Sequence, residues 1–355
     1  MRIVISNRTL QHCGIDTYVY TLTNGLSQIP NTEVYDFTDR NLIGLGRQNG
    51  LLNKMMYFPK KYMRDEINLP AYIDKVHADI YHCTECFGVP HHIHTKTVLT
   101  LHDIIPARFT SQFSNLQRNM WIRRVRSAIN LSNHIIAVSE FSKKDIIDFF
   151  HVPEDKISVV YETASRDFRI IPNQSTVDDV KLKYNITKPY FLTVGGDEKR
   201  KNNSAVKEIF QKVFKGKYQL VMLGSKKETS ETDIITPGFV PSDDMVALYN
   251  GAMMLVYVSH YEGFGLPVLE AMSCGVPVIS SNSTSIPEVA GNAAILVDPN
   301  NLKEIAEAMS GLLRNPFKLR EMKFKGVERT KVFTLENMVN GTYQVYENLL
   351  KENSD

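Results

Sequence analysis

The sequence predicts an α/β protein built from two Rossmann-like domains, and three observations carry that expectation. Short apolar runs such as 97–101 and 253–258 lack the polar alternation of a half-solvated strand, so they read as buried parallel strands. Twice such a run leads to glycine: residues 2–6 lead to Gly14, and residues 190–194 lead to Gly195-Gly196. With 355 residues, 43% of them hydrophobic, the chain is long enough to fill two separate cores. The domains are expected at 1–170 and 171–335, with 336–355 as a terminal helix.

Taken in order, residues 2–6 form the first strand, and a helix is expected from about Thr17 to Leu26. Gly14 lets backbone approach a ligand closely, although a plain helix cap would use the glycine equally well. Residues 41–64 are poor in strand signals. Within them, Lys54 to Arg64 sets cations beside Met55, Met56, Tyr57 and Phe58, which suits an anionic membrane surface or a solvated loop. Cys83 and Cys86 form a C-x-x-C beside His82. Zinc wants four ligands, and Cys13 and Cys274 are isolated in sequence, so this segment reads as a strand end and its loop.

The strand 97–101 delivers His102 and Asp103 at its C-terminal edge, where doubly wound sheets bind ligands. A lone histidine there can also be structural. From Ile104 to Ser139 there is no acidic residue, while Arg108, Arg118, Arg123, Arg124 and Arg126 gather around Trp121. A solvated helix face fits this run, and so does a basic amphipathic helix that meets anionic lipid. A strand at 134–138 precedes a helix at 139–150, with Ser139 or Ser142 as its cap, and 157–161 closes the first domain. Polar residues 172–176 and Pro189 bracket the linker, which includes a short helix.

The second sheet opens with 190–194, and Arg200 and Lys201 after the glycine pair are well placed to neutralise a diphosphate. Strand 219–223 follows, then a turn at Gly238 that leads to Val240. The organising stretch is His260 to Pro277, HYEGFGLPVLEAMSCGVP. Strand 253–258 runs into the turn Glu262-Gly263-Phe264-Gly265, and a short helix opens there with Pro267 near its first position. Gly275 and Pro277 stop that helix. Such a turn presents bare N–H groups and the positive end of a helix dipole, so it suits a phosphate-bearing ligand. Glu262 and Glu270 flank it. Carboxylates cannot bind phosphate but accept from hydroxyls, and a diphosphate with a sugar on each side has hydroxyls on each side. An ordinary strand–turn–helix with glycines serving only the turn is the alternative. A final helix over 335–351 carries apolar Met338, Val339, Tyr343, Tyr346, Leu349 and Leu350.

Glu262 to Glu270 fits an E-x7-E signature, and the block EGFGLPVLEAMSCGVPV followed by SSNSTSIPEVAGNAAILVDPN resembles the family-4 retaining glycosyltransferases. CGIDTY, HDIIP, AVSEFSKKDI and the G-x4-R-K-N run ending at Asn202 are similar to that family in the expected order. The resemblance implies the GT-B fold, two Rossmann-like domains facing a central cleft, with the C-terminal helix crossing back to the first domain. It implies transfer of a hexose from a nucleoside diphosphate sugar to a hydroxyl of a glycan or lipid-linked acceptor, with retention of anomeric configuration. Arg200, Lys201 and the amides of Gly263, Phe264, Gly265 and Leu266 then meet the donor diphosphate, and the Gly14 loop faces it. Glu270 takes the ribose diol, Glu262 the sugar hydroxyls, His102 the reacting sugar, and the backbone at Val240 the nucleobase edge. The chain departs from the pattern at Asp16 and Thr17, where a second glycine and a basic residue are common. An acid beside a diphosphate would be repelled, so Asp16 is expected to point away or to meet the acceptor.

No D-x-D triplet occurs, so neither a metal nor another cofactor is expected, and the cations take over charge neutralisation. HDIIP, SEFS and SIPEVAGNAA lean toward mannosyltransferase-like members of surface-polysaccharide assembly, which makes a GDP-linked sugar the first donor to consider. An epimerase or phosphorylase of the same fold is one alternative. A non-catalytic partner subunit is another, against which Glu262, Glu270, Lys201 and His102 all argue. The formal charge of +2 gives no case for nucleic acid binding. The N-terminus reads as a strand rather than a signal peptide because Asn7 and Arg8 interrupt it, and no apolar run approaches the roughly 20 residues of a membrane span. Four cysteines without a secretory signal point to the cytoplasm, with peripheral attachment to the inner face of a membrane as the added expectation.

Overall fold

The computed structural model describes residues 1–7, 14–38, 60, 62–86, 88–109, 112–225, 229 and 231–351. Residues 8–13, which include Cys13, and residues 54–59 and 61 of the expected basic segment, lie outside that range. The chain divides into two compact units, Met1–Thr163 with Thr334–Asp355, and Ala164–Phe333. The expected boundary at 170/171 falls inside the second unit. There Asn250 accepts from the Ile171 amide at 2.8 Å and donates to the Arg169 carbonyl at 2.9 Å, tying the stretch to the second unit's own helix.

In the first unit, the described residues form six strands: β1 (Arg2–Asn7), β2 (Glu33–Thr38), β3 (Ile80–Cys83), β4 (Lys96–Leu101), β5 (His134–Ala137) and β6 (Ile157–Val159). They pair in parallel in the order β2-β1-β3-β4-β5-β6. Side chains alternate across a pleated strand, so Ile3 and Ile5 enter one core while Val4 enters the other. Helix α1 (Gly14–Leu26) covers the first face with Tyr18, Val19, Leu22 and Leu26. It starts at Gly14, ahead of the expected position. The C-terminal helix, Leu335–Lys351, buries Met338, Val339, Val345, Tyr346 and Leu349 in that same core, so it belongs to the first unit. On the opposite face lie α2 (Asn115–Leu131), opened by a Ser114–Gln117 capping box, and α3 (Glu140–Phe150), whose cap is Ser139 accepting from the Ser142 amide.

The second unit contributes β7 (Tyr190–Val194), β8 (Gln219–Leu223), β9 (Ile234–Ile235), β10 (Met254–Tyr257), β11 (Val278–Ser281) and β12 (Ala294–Val297) among the described residues. Their order is β12-β11-β10-β7-β8-β9, all parallel. β8 and β10 are buried along their whole length, as sheets covered on both faces require. The chain winds outward from β7 to β9, then returns to lay β10 against the other side of β7. Strand order therefore reverses between β7 and β10, and the loops after these two strands are where an open parallel sheet receives its ligand. No helix among the described residues is long and apolar enough to cross a membrane.

Candidate active site

The loop after β7 is shaped around one side chain. Gly195 has φ +109°, and a Cβ there would stand 2.8 Å from Cγ and Cδ of Lys201. The glycine thus leaves a lane for the lysine's methylene stem, which carries its ammonium to the neighbouring strand. Asn203 fixes the loop from beneath, accepting from Thr193 Oγ1 at 2.7 Å and donating to the Gly196 carbonyl at 2.8 Å.

The loop after β10 meets it. Helix α5 (Leu266–Ser273) begins at a Gly265 cap with φ +112°, a conformation that strains any residue with a Cβ, and Pro267 sits in its first turn. Ser285 Oγ donates to the carbonyls of Glu262 (3.0 Å) and Phe264 (2.8 Å), while Thr284 Oγ1 accepts from the Glu262 amide at 3.2 Å. The two loops are joined directly: the His260 amide donates to the Arg200 carbonyl (2.8 Å), and Arg200 Nη1 donates to the Tyr261 carbonyl (2.7 Å).

At their junction lies a buried charge cluster. Lys201 Nζ donates to Glu262 Oε1 (3.0 Å), Glu262 Oε2 (3.2 Å) and Tyr257 Oη (2.6 Å). Tyr257 in turn donates to Glu262 Oε1 at 2.8 Å, and Arg200 Nη1 stands 2.9 Å from the same oxygen. Burial works against the Glu262 charge, but Lys201 and then Arg200 outweigh it and hold this carboxyl below its ordinary value. Burial, reinforced by Glu262, pushes the Tyr257 phenol well up, so it stays protonated and remains the donor. Arg200, Lys201 and Glu262, singled out separately from the sequence, form one unit in which the carboxylate occupies both cations.

Glu270, one helical turn into α5, is half-buried and accepts from Tyr249 Oη at 2.7 Å. Tyr249 projects from α4 (Ser242–Asn250). Withdrawal from water pushes Glu270 up to about 7, against smaller opposing effects of Tyr249 and Lys201. The folded value is raised, so stability is unaffected by Glu270 ionisation below the ordinary carboxylate value and falls as pH rises from there to about 7. A vicinal diol donating to the carboxylate favours its ionised form. A ligand that donates to this carboxylate should therefore bind more tightly as pH rises toward about 7 and level off above it, by up to roughly tenfold per unit, with proton release on binding. Calorimetry on wild type and Glu270→Gln checks this: the variant should bind about 1–3 kcal/mol more weakly above the midpoint, with a flatter pH profile. Val240 is buried just before α4, after a turn in which Gly238 has φ +70°.

In the first unit, His102 follows β4 and Glu162 follows β6. Nδ1 of His102 lies 2.6 Å from Glu162 Oε1, and Nε2 lies 3.2 Å from the Thr84 carbonyl. Gly14 stands at the start of α1. Cys83, Cys86 and Cys274 take part in no disulfide, and the Cys83 thiol donates to the Glu85 carbonyl at 3.3 Å. Among the described residues no three His, Cys, Asp or Glu side chains gather as they would around a metal ion. Sequence reasoning missed Tyr249, Tyr257, Glu162 and Ser285 as participants. Position could have pointed to two of them, since Tyr257 ends a buried strand and Glu162 follows one, both at the C-terminal edge.

Residues 8–163 match the family described as Glycosyltransferase Family 4, and residues 175–328 match Glycosyl transferases group 1. Over 341 residues the chain is 31% identical to O-antigen chain mannosyltransferase B of Escherichia coli, covering 91% of this chain and 88% of that protein. Among solved structures it is similar to sucrose-phosphate synthase from Thermosynechococcus elongatus, with a TM-score of 0.78 at 18% identity over 99% of this chain and 100% of that one. Anabaena HepE in complex with UDP-glucose superposes at a TM-score of 0.71 with 14% identity, over 99% of this chain and 100% of that one. The chain belongs to the glycosyltransferase family that joins a family 4 domain to a group 1 domain, and its architecture is GT-B.

Proposed function

We propose that the chain is a retaining, metal-independent hexosyltransferase. It moves a hexose from a nucleoside diphosphate sugar, with GDP-mannose the first donor to test, to a hydroxyl of a glycan or lipid-linked acceptor. The observation that carries this reading is the Lys201–Tyr257–Glu262 cluster at the strand-order reversal of the second unit, with Glu270 on the helix that follows. In the reaction the bond from the anomeric carbon to the β-phosphate oxygen breaks, and the diphosphate leaves with the electron pair. A bond from the acceptor oxygen to that carbon forms on the same face, and the acceptor's proton passes to the departing phosphate oxygen. Lys201, Arg200 and the amides of Gly263 to Leu266 stabilise charge growing on the diphosphate. Glu262 accepts from the sugar hydroxyls, Glu270 from the ribose diol, and the backbone at Val240 meets the base. In this reading the second unit holds the donor and the first the acceptor, with His102 and the Gly14 loop on the first. The mannosyl choice is supported by the relative named O-antigen chain mannosyltransferase B, and the nucleotide-sugar choice by the neighbour solved with UDP-glucose.

A donor panel tests it. The true donor at a hundred times its dissociation constant should stabilise the fold by about 2.7 kcal/mol, read by thermal shift. The product should keep the donor's anomeric configuration by NMR, and turnover should survive chelation and dialysis. An inverted product, or activity lost to chelator and restored by manganese or magnesium, overturns the reading.

The same proposal includes reversible attachment to an anionic lipid surface through α2, where Leu116 (71% exposed) and Met120 (40%) lie one turn apart beside exposed Arg123. Three of the other arginines are engaged within the fold. Arg108 pairs with Asp145 at 2.6 Å, Arg118 donates to the Ala107 carbonyl at 3.3 Å, and Arg126 stands over the Phe150 ring. At about 1 kcal/mol per basic residue near the surface, the attachment is weak and lost at high salt. Equal sedimentation with anionic and neutral vesicles at low salt would rule it out.

A further inference from the structure

His102 is held in a way its expected role does not require, and the inference drawn from it rests on the reading of His102 as a group at the reacting sugar. Its ring is fixed by a carboxylate, a carbonyl and an aromatic edge. Nδ1 meets Glu162 Oε1 at 2.6 Å, Nε2 meets the Thr84 carbonyl at 3.2 Å, and the ring stands edge-on to Tyr18 with centroids 4.8 Å apart. Glu162 is itself buried, at 6% exposure. A carboxylate and a carbonyl oxygen can only accept, so both ring nitrogens donate and the ring is an imidazolium.

We propose that Glu162 is the positioning residue of the transfer reaction. It clamps Nδ1 and keeps His102 charged, so that Nε2–H, held among the described residues by a long bond to a main-chain carbonyl, is the donor presented to a substrate oxygen. The two distances rank the bonds: the 2.6 Å ion pair is the anchor, and the 3.2 Å contact is the one a better acceptor displaces.

The surroundings agree. Burial disfavours a charged His102, but the Glu162 hydrogen bond and charge, then Asp103 and the Thr84 carbonyl, reverse it and raise the ring above its ordinary value. The neighbouring His82 would oppose a second charge, yet burial lowers it to about 3 and it stays neutral. Its two nitrogens lie 2.6 Å from Tyr346 Oη on the C-terminal helix and 2.7 Å from Thr100 Oγ1 on β4. Thr100 Oγ1 is also 3.1 Å from Tyr18 Oη, so the ring against His102 is fixed by the same buried chain. From α3, Ser142 Oγ donates to the His102 carbonyl at 3.2 Å, which fixes the backbone. An imidazolium cannot take a proton, so His102 acts as a fixed positive donor and not as a base.

The test is the titration of His102 itself, followed by NMR in labelled protein and assigned with His102→Gln. In wild type its midpoint should lie above the ordinary value of about 6.5, and in Glu162→Gln it should fall by at least about one unit, a tenfold loss of proton affinity. Glu162→Asp, which keeps the charge, should restore most of it. Because the active form is protonated, kcat/KM should decline as pH rises through the His102 midpoint, and in Glu162→Gln that decline should begin at lower pH. A wild-type midpoint at or below the ordinary value overturns the proposal without any variant. So does an unmoved midpoint and profile in Glu162→Gln. The underlying reading fails separately: full turnover in His102→Gln would remove His102 from the site whatever Glu162 does.

Discussion

Lys201→Met should lower turnover by about 10²–10³-fold, the loss expected when one preorganised donor to a developing negative charge is removed. The lysine reaches its place through the lane that Gly195 leaves open, and its ammonium is fixed by Tyr257 and by both oxygens of Glu262. In the proposed reaction that cation is already oriented when the diphosphate departs, so no reorganisation is needed at the moment of bond breaking. Arg200 adds its charge but cannot take over the lysine's donor, because Nη1 and Nη2 also hold the Tyr261 carbonyl and Glu198 Oε2 and brace the turn that carries Glu262. The variant should fold, since Glu262 keeps Arg200 and Tyr257 as partners, and its destabilisation should stay below the roughly 3–5 kcal/mol of a fully broken buried pair. Steady-state kinetics with a saturating donor, alongside thermal unfolding, decide the matter. A folded variant within about threefold of wild-type kcat would remove Lys201 from the diphosphate.

How much of this could be read in the sequence depended on whether the informative residues were near one another along the chain. The E262–E270 spacing, the glycine turn and Pro267 are local chemistry, so the strand–turn–helix was legible, and β10 and α5 lie where expected. The groups that set the site's electrostatics are not local. Tyr249 reaches Glu270 across 21 positions from one helix to another, while Lys201 reaches Glu262 across 61 and Glu162 reaches His102 across 60, both through parallel strands that bring distant loops to one edge. The sequence therefore assigned Arg200 and Lys201 to phosphate and Glu262 to sugar, with no sign that the three are bound to one another. The arginine run has the same lesson. It lacks acids between Ile104 and Ser139, yet Asp145 on α3 supplies a partner for Arg108.

Glu262→Gln should separate binding from transfer. The carboxylate now occupies Lys201 and Arg200, so removing its charge leaves both cations to the diphosphate, and nucleoside diphosphate affinity should hold or improve. Turnover should nevertheless fall about 10- to 100-fold, the cost of a charge-assisted hydrogen bond to the transferred sugar at ~1.5–3 kcal/mol. A stability signature should accompany it. The folded Glu262 pKa is depressed, so its contribution is present above the unfolded carboxylate value and is lost as pH falls through the folded one. Wild type should thus be the more stable protein near neutrality, and the gap should close in acid. Glu262→Ala, which also deletes the acceptor for Tyr257, should widen the gap near neutrality without further loss of nucleotide affinity. Calorimetry with the free nucleoside diphosphate, set beside kcat with the donor, separates the two effects. Equal loss of nucleotide affinity and turnover would place Glu262 on the nucleotide, and the division of labour between the two carboxylates would be wrong.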